Sequence, residues 1–314
     1  MEELIIVGSG CAGWTAAIYA ARANLRPLVI TGTLPGGLLM TTTLVENFPG
    51  FPNGIQGPDL MAAMEEQAKR FGARVLSMAV VTRTELRGTP KRIFLEDGVL
   101  EAKAVILAVG ARPRHLDAPG ERELETRGVS YCATCDGALP LFRNRPLAVV
   151  GGGDTACEEA LYLTRFASEV YLIHRRDQLR ASPIMAARVL GNAKIRPIWN
   201  TVVTEVLGRN EGKLTGLALC ELPTGKTRIL SCAGLFVAIG HQPSTEPFRG
   251  QVDLDERGYI RVRQGAHTDQ RGVFAAGDCV DFTYRQAVTA AGMGCMAALD
   301  AERYLSSAAA ASHA

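Results

Sequence analysis

Two cysteines with two residues between them, in Cys132-Ala133-Thr134-Cys135-Asp136, can close and open a disulfide with little movement of the backbone. Near a βαβ pattern such a pair reads first as a redox couple. Exchange requires a thiolate, since the neutral thiol is a poor nucleophile. The carboxyl of Asp136 is placed by sequence to take and return that proton; the alternative is that it ends a turn before Gly137. The rival for the cysteines is half of a zinc site. That needs two further ligands at metal spacing, and none is evident, so no metal is expected.

The elements that would feed such a couple are two glycine loops. Leu4-Ile5-Ile6-Val7 is a short apolar run followed by Gly8-Ser9-Gly10-Cys11-Ala12-Gly13 and an alanine-rich helical stretch, Thr15 to Ala23. In a strand–turn–helix of this kind the first glycine, Gly8, makes the tight turn and the second, Gly10, lets a pyrophosphate approach. The third, Gly13, lets helix and strand pack closely. The next strand, Leu28 to Thr31, lacks the ribose-binding acid at its end, which argues against NAD and leaves room for a flavin dinucleotide.

The pattern recurs. Leu147 to Val150 leads into Gly151-Gly152-Gly153-Asp154-Thr155-Ala156 and a helix from Cys157 to Phe166. The strand Val170 to Ile173 then ends in His174-Arg175-Arg176-Asp177, with Arg180 one turn onward. Guanidinium groups at the ribose position suit a 2′-phosphate, so this loop reads as NADPH rather than NADH. The bland alternative is a solvated cationic strand end. A third apolar strand, Val273 to Ala276, ends in Gly277-Asp278. Asp278 suits either the ribityl chain of a flavin or the cap of a helix beginning near Gln286.

At 314 residues the chain accommodates two cores, and its formal net charge of +2 carries no block suited to nucleic acid. Of its eight cysteines, Cys11, Cys157, Cys220, Cys232, Cys279 and Cys295 stand singly and read as packed thiols. That usage fits a reducing compartment. The N-terminus enters a buried strand with no export signal, and no apolar run reaches membrane-span length. The expectation is a cytoplasmic protein with no membrane contact and a frayed alanine-rich tail over Ala308 to Ala314.

From about Leu4 to Leu305 the chain resembles the low-molecular-weight, bacterial and plant-type NADPH-dependent thioredoxin reductases. The matching pieces include Ala21-Arg22-Ala23-Asn24-Leu25, Val45-Glu46-Asn47-Phe48-Pro49-Gly50, Cys132 to Gly137, Gly151 to Ala156, and His174 to Asp177. Gly277-Asp278, Arg285-Gln286-Ala287 and Cys295-Met296-Ala297-Ala298-Leu299 complete the match. The resemblance implies an α/β chain of two Rossmann-like domains, with an NADPH domain inserted into a discontinuous FAD domain. Residues 1–118 and 244–314 would form the FAD domain, and residues 119–243 the NADPH domain with its redox pair.

Carried over, Gly8, Gly10, Gly13, Asn47, Asp278, Arg285, Gln286 and Ala287 would contact FAD, while Gly151, Gly153, Thr155, Arg175, Arg176 and Arg180 would contact NADPH. Cys132 and Cys135 would pass electrons to thioredoxin or a similar small protein, with Asp136 managing the proton. The resemblance also implies a homodimer, and rotation of the inserted domain about Pro/Gly-rich connectors at 115–120 and 241–244. Where the family has proline, tyrosine and glutamine, this chain has Cys11, Trp14 and Leu38; Cys279 after Asp278 is also unusual and would bring a further thiol near the cofactor. Two rival functions stand beside this reading. One is a flavin disulfide reductase fed by ferredoxin or a second flavin, and the other is a nicotinamide-binding redox sensor.

Overall fold

The computed structural model describes residues 1–311, and its contacts divide the chain into two units. Unit 1 joins Met1–Arg112 to the segment that starts at Gln242, and unit 2 is the continuous stretch Pro113–His241. The sequence places these joins a few residues later, at 118 and 243, on proline and glycine punctuation. Leu116 already belongs to unit 2, where its N–H donates to Glu121 Oε1 at 3.0 Å.

In unit 1 the strands Arg74–Leu76, Leu28–Ile30, Glu2–Val7 and Gly98–Leu107 lie in that order, all parallel. Gly98–Leu107 serves two neighbours along its far edge. Its first half pairs antiparallel with Lys91–Leu95 and its last three residues pair parallel with Val273–Ala275. The apolar run Leu4-Ile5-Ile6 is fully buried, as a parallel strand covered on both faces requires. Each such side chain contributes about 1.5–3 kcal/mol of transfer free energy.

Two helices share one face of that sheet. Helix α1, Cys11–Arg22, begins directly at the glycine loop, four residues before the sequence pattern suggested, with Gly10 as its N-cap. The last helix, α6, runs Ala287–Ala311. The alanine run expected as a frayed tail is therefore helical to Ala311, and its remaining residues lie outside the described ones. Small side chains let the two helices approach closely: a Cβ added at Gly294 would stand 2.1 Å from the Ala12 carbonyl oxygen. Alanines 16, 17, 20 and 21 on α1 and 297, 298 and 301 on α6 are buried in the same cluster around Trp14. Helix α2, Gly57–Arg70, also packs on α1.

Unit 2 has its own five-stranded parallel sheet, in the order Val129–Ser130, Gly234–Val237, Pro146–Val150, Glu169–Ile173 and Ile195–Ile198. Helix α3 is the single turn Ala133–Asp136, α4 spans Asp154–Leu163 and α5 spans Pro183–Leu190. A three-stranded antiparallel sheet, Thr201–Leu207, Gly216–Glu221 and Thr227–Ser231, closes the opposite side of its core. Two Rossmann-like parallel sheets, one built from both ends of the chain, are the architecture the resemblance implied. The ends of each unit are tied within that unit. Ser244 N–H donates to Gly110 O in unit 1, and Arg114 N–H to Gly240 O in unit 2, both at 3.0 Å.

Among the described residues no helix is long and apolar enough to cross a membrane, and no group of three or more His, Cys, Asp or Glu side chains could hold a metal.

Candidate active site

Cys132 and Cys135 form a disulfide with Cα atoms 5.3 Å apart. The fold of this segment follows from local bonding. Cys132 is extended and caps α3, its Sγ accepting the Cys135 N–H at 3.2 Å, and its carbonyl accepts the Asp136 N–H at 3.1 Å. Gly137 must lack a side chain, because a Cβ there would stand 2.6 Å from the Ala133 carbonyl oxygen. Cys135 is exposed and Asp136 half-buried. Burial pushes the Asp136 carboxyl above the usual carboxylate range, and a hydrogen bond from Ser130 partly opposes the shift. A carboxyl held closer to neutrality is the form that can deliver a proton to a sulfur.

Beside this pair stands a network with no signature in the sequence. Glu121 is fully buried, and its Oε1 accepts from Leu116 N–H at 3.0 Å and Tyr131 O–H at 3.1 Å. The Nδ1 of His115 lies 2.8 Å from the same tyrosine oxygen. Only the tertiary fold brings these four positions together, next to Cys132.

The second glycine loop of unit 2 leads into α4 with Gly153 as N-cap. A Cβ on Gly153 would meet no atom within 4 Å, whereas one on Gly151 would lie 2.4 Å from Ala238 O and 2.6 Å from the Ala156 side chain. The loop therefore packs tightly at its first glycine and stays open at its third, where a phosphate can approach the helix N-terminus. Gly152 is bare for a reason the motif does not show: the His174 ring occupies the place of its side chain, 2.2 Å from a built Cβ. Arg180 N–H donates to Gly152 O at 2.6 Å, and this bond carries Arg180 to the loop. Arg175, Arg176 and Arg180 are exposed. Burial first, then Arg180, Arg176 and Arg175, hold the His174 imidazole below its ordinary range, so all three guanidinium groups act on one small region. Thr155 stands in the first turn of α4.

In unit 1, Gly8 has φ of +109° and a Cβ there would lie 2.1 Å from Ala108 O. One on Gly13 would lie 2.0 Å from Gly8 O, while Gly10 faces no atom within 4 Å. Ser9 braces the loop, donating to Thr31 O and accepting the Gly36 N–H at 3.0 Å. The Asn47 amide donates to Gln286 Oε1 at 3.3 Å, joining two predicted flavin contacts far apart in sequence. Gly277 packs against Ala12, which sets Asp278 beside the N-terminus of α1.

Asp278 is not a helix cap. Asp281, not Asp278, ties the loop ahead of α6, accepting the N–H groups of Thr283, Tyr284 and Arg285 before the helix starts at Ala287. The Oδ1 of Asp278 is instead buried with no protein partner. Burial, then repulsion from Asp281, lifts its carboxyl to about 7, with Arg285 opposing. A buried acceptor with no donor is costly unless a ligand hydroxyl completes it.

The single cysteines divide. Cys11, Cys157, Cys232 and Cys279 are buried, while Cys220 and Cys295 are partly exposed. Burial pushes the Cys11 thiol up to about 12, with the Asp278 carboxyl adding to the shift. Cys279 sits in the core, its Sγ donating to Ala276 O and Leu107 O, so it is a packed thiol. Leu38, on a 3-10 turn over Gly37–Thr41, is exposed.

Known proteins agree with this geometry. Residues 2–294 match the family described as pyridine nucleotide-disulphide oxidoreductase. A thioredoxin reductase of Mycolicibacterium smegmatis is 55% identical over 306 residues, 97% of each chain. NADPH-dependent thioredoxin reductase 3 of Arabidopsis thaliana is 52% identical over 98% of this chain, which spans 59% of that longer relative. A solved thioredoxin reductase from Streptococcus pyogenes superimposes with a TM-score of 0.92 at 41% identity, covering 98% of this chain and 99% of its own. The chain belongs to the pyridine nucleotide-disulphide oxidoreductase family, and within it to the thioredoxin reductases.

Proposed function

We propose that this chain uses NADPH to reduce the disulfide of thioredoxin or a similar small dithiol protein, with FAD as bound carrier and Cys132–Cys135 as the last relay. The observation that carries the reading is the Cys132–Cys135 disulfide itself, with Cys135 exposed and, one residue on, a carboxyl whose hold on a proton burial strengthens. When bound, the flavin supplies two-electron chemistry that links nicotinamide to sulfur.

The residues present fit both cofactors. In unit 1 the bare Gly10 cradle would take the pyrophosphate of FAD, and the unpartnered Asp278 Oδ1 would accept from its ribityl chain. Asn47, Arg285, Gln286 and Ala287 would line the same ligand, with Gly8 and Gly13 setting the turn. In unit 2 the open Gly153 and Thr155 at the start of α4 would hold the NADPH pyrophosphate, after the tight turn at Gly151. Arg175, Arg176 and Arg180 would bind its 2′-phosphate. We assign the inserted unit to NADPH and the outer unit to FAD.

In the reduced pair one sulfur is a thiolate and attacks the partner's disulfide, while Asp136 takes the proton of the other thiol. The second sulfur then resolves the mixed disulfide. The exposed apolar side chains Tyr19 on α1 and Val288, Met296 and Leu299 on α6 support a homodimer. Single unpaired thiols alongside one reactive disulfide support a cytoplasmic setting.

Anaerobic titration with NADPH tests the reading. Prompt loss of flavin absorbance, with turnover of a thioredoxin disulfide, is expected. A bound flavin that ignores NADPH but accepts electrons from ferredoxin would transfer the function to the other donor.

A further inference from the structure

The Ser130 hydroxyl joins the two halves of the dithiol site. Its Oγ–H donates to Asp136 Oδ2 at 2.6 Å, and the same oxygen accepts the Cys132 N–H at 3.1 Å. Ser130 is buried in the strand Val129–Ser130, whose ladder to Leu235 and Phe236 fixes its backbone. The hydroxyl is thus anchored in the sheet, while Asp136 rides on a single helical turn.

We propose that Ser130 is a positioning residue for the disulfide chemistry, holding the Asp136 carboxyl beside the sulfurs in both of its protonation states. This rests on the proton-handling role of Asp136 given above. A serine hydroxyl has one donor and two acceptor lone pairs. Toward a carboxylate it donates, as in the structure, and one lone pair keeps the Cys132 amide. Toward a carboxylic acid it rotates and accepts the acid O–H on its second lone pair, with the amide contact unchanged. The proton can leave and return without moving the group that carries it.

Opening the Cys132–Cys135 bond consumes two electrons, supplied by NADPH in the reaction proposed above, and breaks one S–S bond. Asp136 gives its proton to one sulfur and becomes a carboxylate; the other sulfur remains a thiolate, ready for the partner disulfide. The Ser130 hydroxyl then donates to the new charge. When the pair is reoxidised, the proton returns to Asp136.

Few other groups compete for control of this carboxyl. The element packed against α3 is α4, which carries Asp154, Glu158, Glu159 and Tyr162, and Tyr131 lies in the approach to Cys132. The influences on Asp136 are burial, which raises it, and the Ser130 bond, which lowers it. Removing the hydroxyl leaves burial unopposed.

The test is an infrared titration of the oxidised holoenzyme, with Asp136→Asn assigning the protonated-carboxyl band, combined with turnover of thioredoxin disulfide across pH. In Ser130→Ala the band midpoint is expected to rise by about one pH unit, a tenfold change in proton affinity. kcat is expected to fall about tenfold at neutral pH, with KM for the protein disulfide unchanged. Ser130→Thr, which keeps the hydroxyl, is expected to restore both. Should the alanine variant fail to fold, Ser130→Cys keeps the shape with a weaker donor and reads the same midpoint. An unmoved midpoint in the hydroxyl-less variant, with or without a fall in kcat, overturns the positioning role. If Asp136→Asn keeps full turnover at every pH, the acid reading itself fails and the role of Ser130 falls with it.

Discussion

The unpartnered carboxyl of Asp278 makes a quantitative prediction about the protein stripped of flavin. Burial and Asp281 lift this group from 3.8 to about 7. At 1.36 kcal/mol per unit, roughly three units correspond to on the order of 4 kcal/mol. The sign follows from proton binding: the folded chain holds this proton more tightly than the unfolded chain does. Its contribution is fully present below about pH 4 and is lost as pH rises to about 7. Asp278→Asn keeps the shape and removes the titration.

Urea unfolding of both stripped proteins from about pH 4 to 8 should show the variant gaining on the wild type by a few kcal/mol across that window. The gap should then stay level. In the flavin-loaded proteins the gap should shrink or reverse, because ligand hydroxyls donating to the carboxylate remove its desolvation cost. Stripped proteins whose stabilities run parallel across the range would show that Asp278 is solvated or already paired, and would remove the main physical argument for its ligand role.

Three further outcomes are expected. Replacing Cys132 or Cys135 by serine should lower turnover of a protein disulfide by on the order of a thousandfold or more, with NADPH still bleaching the flavin. Arg175→Ala and Arg176→Ala should each raise KM for NADPH about 10- to 100-fold, the value of one charge-assisted bond, while KM for NADH stays nearly constant. Gly13→Ala should cost more than about 2 kcal/mol in thermal unfolding and weaken flavin retention, because its new methyl would overlap the Gly8 carbonyl.

Much of the fold was legible because its signals are local. Apolar runs ending in glycine announced the strands at Leu4, Leu147 and Val273, and the cysteine spacing announced the disulfide. Helix starts were set too late: α1 begins at Cys11 and α4 at Asp154, since in each case the glycine before it already serves as N-cap. The role of Asp278 was left open in the sequence because an acid ahead of a helix beginning near Gln286 suits a cap as well as a ligand. Only the structure shows that the Asp278 Oδ1 meets no backbone N–H and so caps nothing. Ser130, Glu121 with Tyr131 and His115, and the fit of His174 over Gly152 had no signature. Each depends on a side chain meeting a partner that the chain trace alone brings near.

The continuity of one unit and the divided origin of the other fix the order in which they can mature during synthesis. Every strand and helix of Pro113–His241 has left the ribosome when residue 241 has emerged with enough tether behind it. The outer unit must wait for Val273–Ala275 to occupy the edge of Gly98–Leu107 and for α6 to cover α1. Until then the Trp14 side of α1 and the last turns of that strand are exposed to the nascent-chain environment. A chain stalled with residue 241 outside the ribosome and Val273–Ala275 still inside it would therefore display a protease-resistant middle and a protease-sensitive beginning.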